Sequence, residues 1–335
     1  MTTGETRMPH AYARPMPEAA PEIPTRLLVH AMVREDGTVD AGELYTIAGT
    51  LGMSDQQVRL CIKRLVAEGR FTHEGRGRKA LLRATADVTG SLAPNVDYVR
   101  YAYQQDHGHA PWDGVWHLFA FAIPESARAA RDILRDTLLK LGAAAVQGGL
   151  YVSANPIEKH VEAQARHLGI LAAVTFLTSS DLRIGERRAP TDLASELWPL
   201  AEIADRYDRL AVLAQARLDQ LDQLDGLDRL DRLDDTASPT DTEQLTIAIE
   251  LAAEFTRAME PDPLLPPELL PQPWTGAHAR HLAARCWARL LEYQTVAAAD
   301  NHPRPRLFSL YSDVIHHAAP GIRDDMSGST RYHRQ

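Results

Sequence analysis

Two helix-capping signatures on either side of a tight turn constrain the N-terminal part of this chain more than any other feature. Asp40 has Glu43 three positions on, and Ser54 has Gln57 at the same spacing. In such a pair the first side chain accepts from an orphan N–H of the helix start, and the second can return a bond to the cap. Between the pairs stand Leu51-Gly52-Met53, a turn. Leu44, Ile47, Ala48 and Leu51 give the first helix an apolar side, and Val58, Cys61, Ile62 and Leu65 give the second one its own, with Gly69 ending it. A shorter amphipathic pattern over residues 25–34 precedes both and breaks at Asp36-Gly37. Helix, tight turn and capped second helix are the plan of a helix-turn-helix, whose second helix lies in the major groove. Gln56, Gln57, Arg59 and Lys63 occupy its N-terminal and outward positions. Gln matches adenine bidentately, and Arg or Lys matches guanine, so these four are expected to read bases or the adjacent backbone.

After Gly69 the chain runs RFTHEGRGRKALLRAT. Phe71–His73 and Ala80–Arg83 read as short extended segments, with Gly75 and Gly77 between them as a hairpin signal. Arg76, Arg78 and Lys79 then fall at the tip. A basic hairpin directly after a recognition helix is a wing. Together with Arg64, these residues are expected to hold phosphates or enter the minor groove. The charge distribution agrees. The whole chain has a net charge of −9, but Ser54–Arg83 holds eight basic residues against three acidic ones. A local basic face on an acidic body suits one polyanion bound at one place. Taken bland, each feature is a solvated surface or an ordinary turn; it is their order and adjacency that point to DNA.

The length of 335 residues suggests two or three domains. The middle of the chain supplies a second pattern. Val115–Ile123 is rich in β-branched and aromatic residues and stops at Pro124; 125–141 is a strong helix closed by Gly142. Ala143–Gln147 and Leu150–Ser153 are extended around Gly148-Gly149, Pro156–Leu168 is a second helix, and Ala173–Thr178 a last strand. Strand, helix, strand, strand, helix, strand is the split βαβ plan of a ferredoxin-like fold, which assigns no function by itself.

Three stretches carry a more specific likeness: VRLCIKRLVAEGRF with GRGRK and Thr85; PWDGVWHLFAFAIPESARAARDILRDTLLKL and its continuation to Asn155; and DPLLPPELLPQPWTGAHARHL. Over roughly residues 25 to 295 the chain resembles the PaaX family of repressors, named for regulation of phenylacetic acid catabolism. The resemblance implies an α+β architecture: an N-terminal winged helix-turn-helix, a ferredoxin-like middle domain similar to the Cas2 fold, and a helical C-terminal domain. It also implies a homodimer on a double-stranded DNA operator and, for the best-known members, release by an aryl-acetyl coenzyme A thioester. Arg59, Arg64, Arg76 and Arg78 match the family pattern; Gln56, Gln57, Lys63 and Lys79 rest on helix and hairpin geometry.

On this reading residues 1–23 are a loose, proline-bearing leader, 24–86 the DNA-binding domain, 87–112 a linker, 113–182 the middle domain, 183–300 the helical domain and 301–335 a tail. Residues 192–213 read as helical, with Pro199 kinking or restarting the helix. The Leu-Asp run within 215–236 departs from the family. Its leucines recur every third residue and drift around a 3.6-residue helix, so it reads as an acidic surface insertion or, in a sharper alternative, a partner-binding helix. Pro261–Pro273 reads as packed extended chain and 277–295 as the last helix.

No motif calls for a cofactor, a metal or an enzyme. His107, His109 and Asp106 match no structural zinc spacing and read as linker residues. Walker, nucleophile-elbow and dinucleotide fingerprints are missing from the sequence. The first middle strand, VWHLFAFAI, has no carboxylate, which disfavours a metal-dependent nuclease on the Cas2-like module. Cys61 and Cys286 lie in apolar helical patterns and read as buried thiols of a cytoplasmic protein. No apolar run is long enough to span a membrane. The expectation is a DNA-binding regulator, a dimeric repressor released by a small acyl-CoA or aromatic-acid effector. An activator, an effector-independent factor and an interaction scaffold using the Leu-Asp run are the alternatives.

Overall fold

The computed structural model describes residues 24–34, 36–85, 96–230 and 241–299. The leader, residues 231–236 of the Leu-Asp run and the tail lie outside the described residues.

The N-terminal unit runs α1 (Thr25–Ala31), β1 (Thr38–Asp40), α2 (Ala41–Thr50), α3 (Asp55–Ala67), β2 (Phe71–Glu74) and β3 (Leu81–Ala84). Its three strands form an antiparallel sheet in the order β1-β3-β2. β1 is too short to show an alternation in the sequence. Asp36 builds the turn before it, accepting from the Thr38 N–H at 3.0 Å and hydroxyl at 2.6 Å. Asp40 both ends the strand and caps α2, accepting from the Glu43 N–H at 2.8 Å. Leu28, Leu44, Val58, Leu65, Phe71 and Leu82 make a fully buried centre. The exposed ends of α1 and α3 are tied by Arg26, which donates to both carboxylate oxygens of Glu68 at 2.6 and 3.3 Å.

His30 on α1 meets Phe71 edge-on, with ring centroids 5.5 Å apart. Burial, then the nearby Arg26 and Arg70, lower its pKa from 6.5 to about 4. The unfolded histidine therefore takes a proton over a pH range where the folded one does not. Stability is full above pH 6.5 and falls as pH drops toward 4, by up to about 3 kcal/mol. In His30→Phe this acid slope is expected to disappear from pH-dependent denaturation curves; a slope equal to wild type would contradict the assignment.

Residues 87–112 hold more than a linker. Val96–Asp106 form a helix, α4, whose Val99, Ala102 and Tyr103 are buried. The middle domain follows as β4 (Trp116–Phe121), α5 (Arg128–Lys140), β5 (Ala144–Gln147), β6 (Leu150–Ser153), α6 (Glu158–His167) and β7 (Val174–Ser179). Its sheet is antiparallel throughout, in the order β5-β6-β4-β7, the ferredoxin-like order. Alternate residues of β4 face opposite ways. Phe119 packs with Leu134 and Leu138 of α5 and Val161 of α6, while Trp116 and Leu118 join the core shared with the C-terminal helices. The inward side of α5 is narrow. Leu134 and Leu138 are buried, but Ile133 is exposed.

The C-terminal part consists of α7 (Pro190–Leu197), α8 (Leu200–Leu230), α9 (Asp241–Met259) and α10 (Thr275–Ala299). Trp198 is extended before Pro199, so α7 and α8 are separate helices. The Leu-Asp run is not a surface insertion where it begins. Residues 215–223 continue α8, and Leu218 and Leu221 are buried beside Ala214 and Leu210. Ion pairs tie this stretch to its neighbours: Arg217 bonds the buried Glu250 on α9, and Arg289 on α10 stands 3.5 Å from Asp222. The proline-rich connection is packed as expected, with Leu264, Leu265, Leu269 and Leu270 buried.

A polar hub joins these parts. Arg280 on α10 donates to both oxygens of Asp106 on α4, at 2.6 and 2.7 Å, and lies 3.3 Å from Asp262 in the proline-rich connection. Its Nη1 also donates to the Tyr207 hydroxyl of α8 at 2.7 Å, and that hydroxyl bonds Asp262. Leu264 takes left-handed backbone, φ +50°. It is held by its N–H on Asp262 (2.8 Å) and by Gln105 and Asn155 donating to its carbonyl at 2.9 and 2.8 Å. Asp106, read as a linker acid, is therefore half of a buried ion pair.

Candidate nucleic-acid interface

The turn between α2 and α3 is closed by Met53 N–H on the Ala48 carbonyl at 2.8 Å, with Gly52 at φ +77°. Ser54 then starts α3 with a complete reciprocal box. The Gln57 N–H donates to Ser54 Oγ at 3.3 Å, and Gln57 Oε1 accepts from the Ser54 N–H at 2.8 Å. With the start fixed, Val58, Ile62 and Leu65 go inward. Gln56, Arg59 and Lys63 fall on the opposite side, all exposed, and Arg64 is exposed beside them in the last turn.

Gln57 differs from its expected role. Its side-chain oxygen also accepts from Ser54 Oγ at 2.9 Å, so it works as a cap rather than reaching outward. Bidentate matching to adenine needs that oxygen, and breaking the box would cost the helix start about 1 kcal/mol. Leu60 was missed. It is 47% exposed between Arg59 and Lys63, where an apolar side chain suits a thymine methyl group. Its signal in the sequence is an apolar residue off the Val58–Ile62–Leu65 stripe.

The hairpin tip folds into a short 3₁₀ turn, Gly77–Lys79, that leaves Arg76, Arg78 and Lys79 exposed. The turn leans on α2. Ala41 N–H donates to the Ala80 carbonyl at 3.0 Å, and a Cβ on Gly42 would stand only 2.8 Å from the Arg78 carbonyl oxygen. The Arg78 guanidinium lies over the Tyr45 ring, 5.6 Å from its centroid, and its Nη2 reaches Asp55 at 3.3 Å. The tip is thus fixed beside the first turn of α3. Cys61 is half-buried rather than buried as expected, and this partial burial raises the pKa of its thiol, favouring the neutral form. Among the described residues no group of three or more His, Cys, Asp or Glu is arranged to hold a metal ion.

Three family models match the chain: "PaaX-like protein" over residues 23–88, "PaaX protein central Cas2-like domain" over 109–192, and "PaaX-like protein C-terminal domain" over 198–300. The chain belongs to the PaaX family. Membership is consistent with a transcriptional regulator. The exposed basic face of α3 and the hairpin both lie within the first PaaX match, and α4 falls between the first two. The curated proteins include no match. A solved structure, the uncharacterized protein Rv0674 from Mycobacterium tuberculosis, is 22% identical, with 76% of this chain and 91% of that one covered and a TM-score of 0.42. No helix among the described residues is long and apolar enough to cross a membrane.

Proposed function

We propose that this PaaX-family protein is a transcriptional repressor whose residues 24–86 act as a winged helix-turn-helix on double-stranded operator DNA. One observation carries the reading. Gln56, Arg59 and Lys63 share the exposed face of a firmly capped helix, and a basic turn bearing Arg76, Arg78 and Lys79 is fixed against that helix's first turn. Such a surface offers base-edge groups to the major groove and cations to the phosphates on either side. A homodimer would present two copies of it to a palindromic site. A small acyl-CoA or aromatic-acid effector would release the DNA if it binds the two arrangements of the dimer unequally. The shared hydrophobic core of the middle and C-terminal parts gives such a change a route to the DNA-binding unit.

The wing provides the test. Replacing Arg76 and Arg78 by alanine is expected to weaken binding to operator DNA and to lower its salt slope of log K by up to about two. An unchanged slope in a mobility-shift series would remove the wing from the interface.

A further inference from the structure

We infer that Asp55 is a specificity-determining residue, which exchanges Arg78 for a cytosine amino group when α3 enters its operator. This rests on the DNA-binding reading above. Asp55 is the only acid between Ser54 and Lys63, on the surface proposed to meet phosphates. A carboxylate there weakens binding to DNA of any sequence unless a donor meets it. Helix capping does not account for it, because Ser54 and Gln57 already close the reciprocal box. In the free protein its donor is Arg78, whose Nη2 stands 3.3 and 3.5 Å from its two oxygens. These are long bonds, and the two side chains are 62% and 56% exposed, so the pair is easily exchanged. The cation–π contact with Tyr45 keeps the guanidinium beside α3 when the carboxylate lets go.

The N-terminal turn of a recognition helix is where side chains reach base edges. The major-groove donors are the cytosine N4 and adenine N6 amino groups; adenine N6 lies between two acceptors, N7 and the thymine O4, that repel a carboxylate, so cytosine N4 is the match for an aspartate. At the operator, Asp55 gains that donor and Arg78 is released to a phosphate. On random DNA Arg78 leaves only by stranding a carboxylate near the backbone. The pair therefore discourages non-specific binding while leaving specific binding intact.

The experiment uses the full chain and the Asp55→Asn variant on operator DNA, on operators with each C·G pair changed in turn to T·A, and on random DNA. In the variant, random-DNA affinity is expected to rise about tenfold at 0.1 M salt, with a slope steeper by about one. Operator affinity is expected not to rise with it. One C·G position should matter to the wild type and not to Asp55→Ala, which, unlike Asp55→Asn, has no side-chain oxygen left to accept from N4. In Asp55→Asn combined with Arg78→Ala, the gain on random DNA should vanish. Equal tightening on operator and random DNA, or no change on either, would overturn the inference, as would an Asp55→Ala protein that keeps every cytosine preference. Melting curves matching wild type establish that the variant is folded, and Asp55→Ala substitutes for it if they do not. A wild type that binds no DNA overturns the DNA-binding reading itself, whereas a binding wild type with an unaffected variant overturns only the role of Asp55.

Discussion

Replacing Arg280 with methionine is expected to destabilise the protein by about 3–5 kcal/mol at neutral pH, the range for breaking a buried ion pair from one side. The Arg280 side chain is only 4% exposed. It meets Asp106 bidentately, approaches Asp262 and bonds the Tyr207 hydroxyl, so its removal strands the buried Asp262 and leaves the mostly covered Asp106 without its partner. Burial is the largest influence on Asp262 and raises its pKa; Arg280 is the largest opposing one. Without Arg280 that opposition is lost, and the folded variant prefers a protonated Asp262. A folded-state pKa raised above the unfolded value adds stability as pH falls. The gap between variant and wild type should therefore be widest at neutral pH and narrow toward pH 5. Denaturant melts at several pH values measure this. A loss below about 1 kcal/mol or a gap that widens in acid would contradict the hub. The consequence extends beyond stability, because the hub fixes α4 and the proline-rich connection to α10. A loosened hub should also loosen the body that carries the DNA-binding unit.

Arg59→Ala is expected to lower operator affinity by about 1–3 kcal/mol, roughly five- to 150-fold, and to relax the preference at one base pair. Arg59 stands one turn from Gln56 and one from Lys63 on the outward side of α3, and it makes no contribution to the Val58–Ile62–Leu65 core. The variant should therefore melt like wild type. If Arg59 met only a phosphate, all sequences would weaken alike and no position would relax. Binding to a panel of single-base operator variants separates these outcomes, and an unchanged affinity would remove Arg59 from the interface.

Much of the fold could be read from the chain because its signals are local. The Ser54–Gln57 box, Gly52 in the turn and the glycines of the hairpin each dictate backbone geometry within a few residues, and the structure has them in that form. The middle domain's strand order followed from alternating strand and helix patterns. What escaped depends on distant partners or on too few residues. β1 is three residues long, too short to show an alternation. α4 has apolar positions at helical spacing, but Tyr98, Tyr103, Gln105 and Asp106 make sense only against Asp262, Leu264 and Arg280, more than 150 positions away. The Leu-Asp run misled because a three-residue repeat drifts around a helix. Yet α8 needs only Leu218 and Leu221 to face α9 and α10 in its described part. At the interface, exposure of the basic residues followed from the apolar stripe on the other side of α3. That Gln57 is spent on the cap, and that Arg78 turns back to Asp55 and Tyr45, depends on side-chain geometry that spacing does not encode.

The most direct test of the central claim is a mobility shift of the full chain on DNA from its own upstream region, over a salt series with random DNA as competitor. Sequence-selective binding that weakens steeply with salt is the predicted result. No binding at all, even at low salt, would contradict the account.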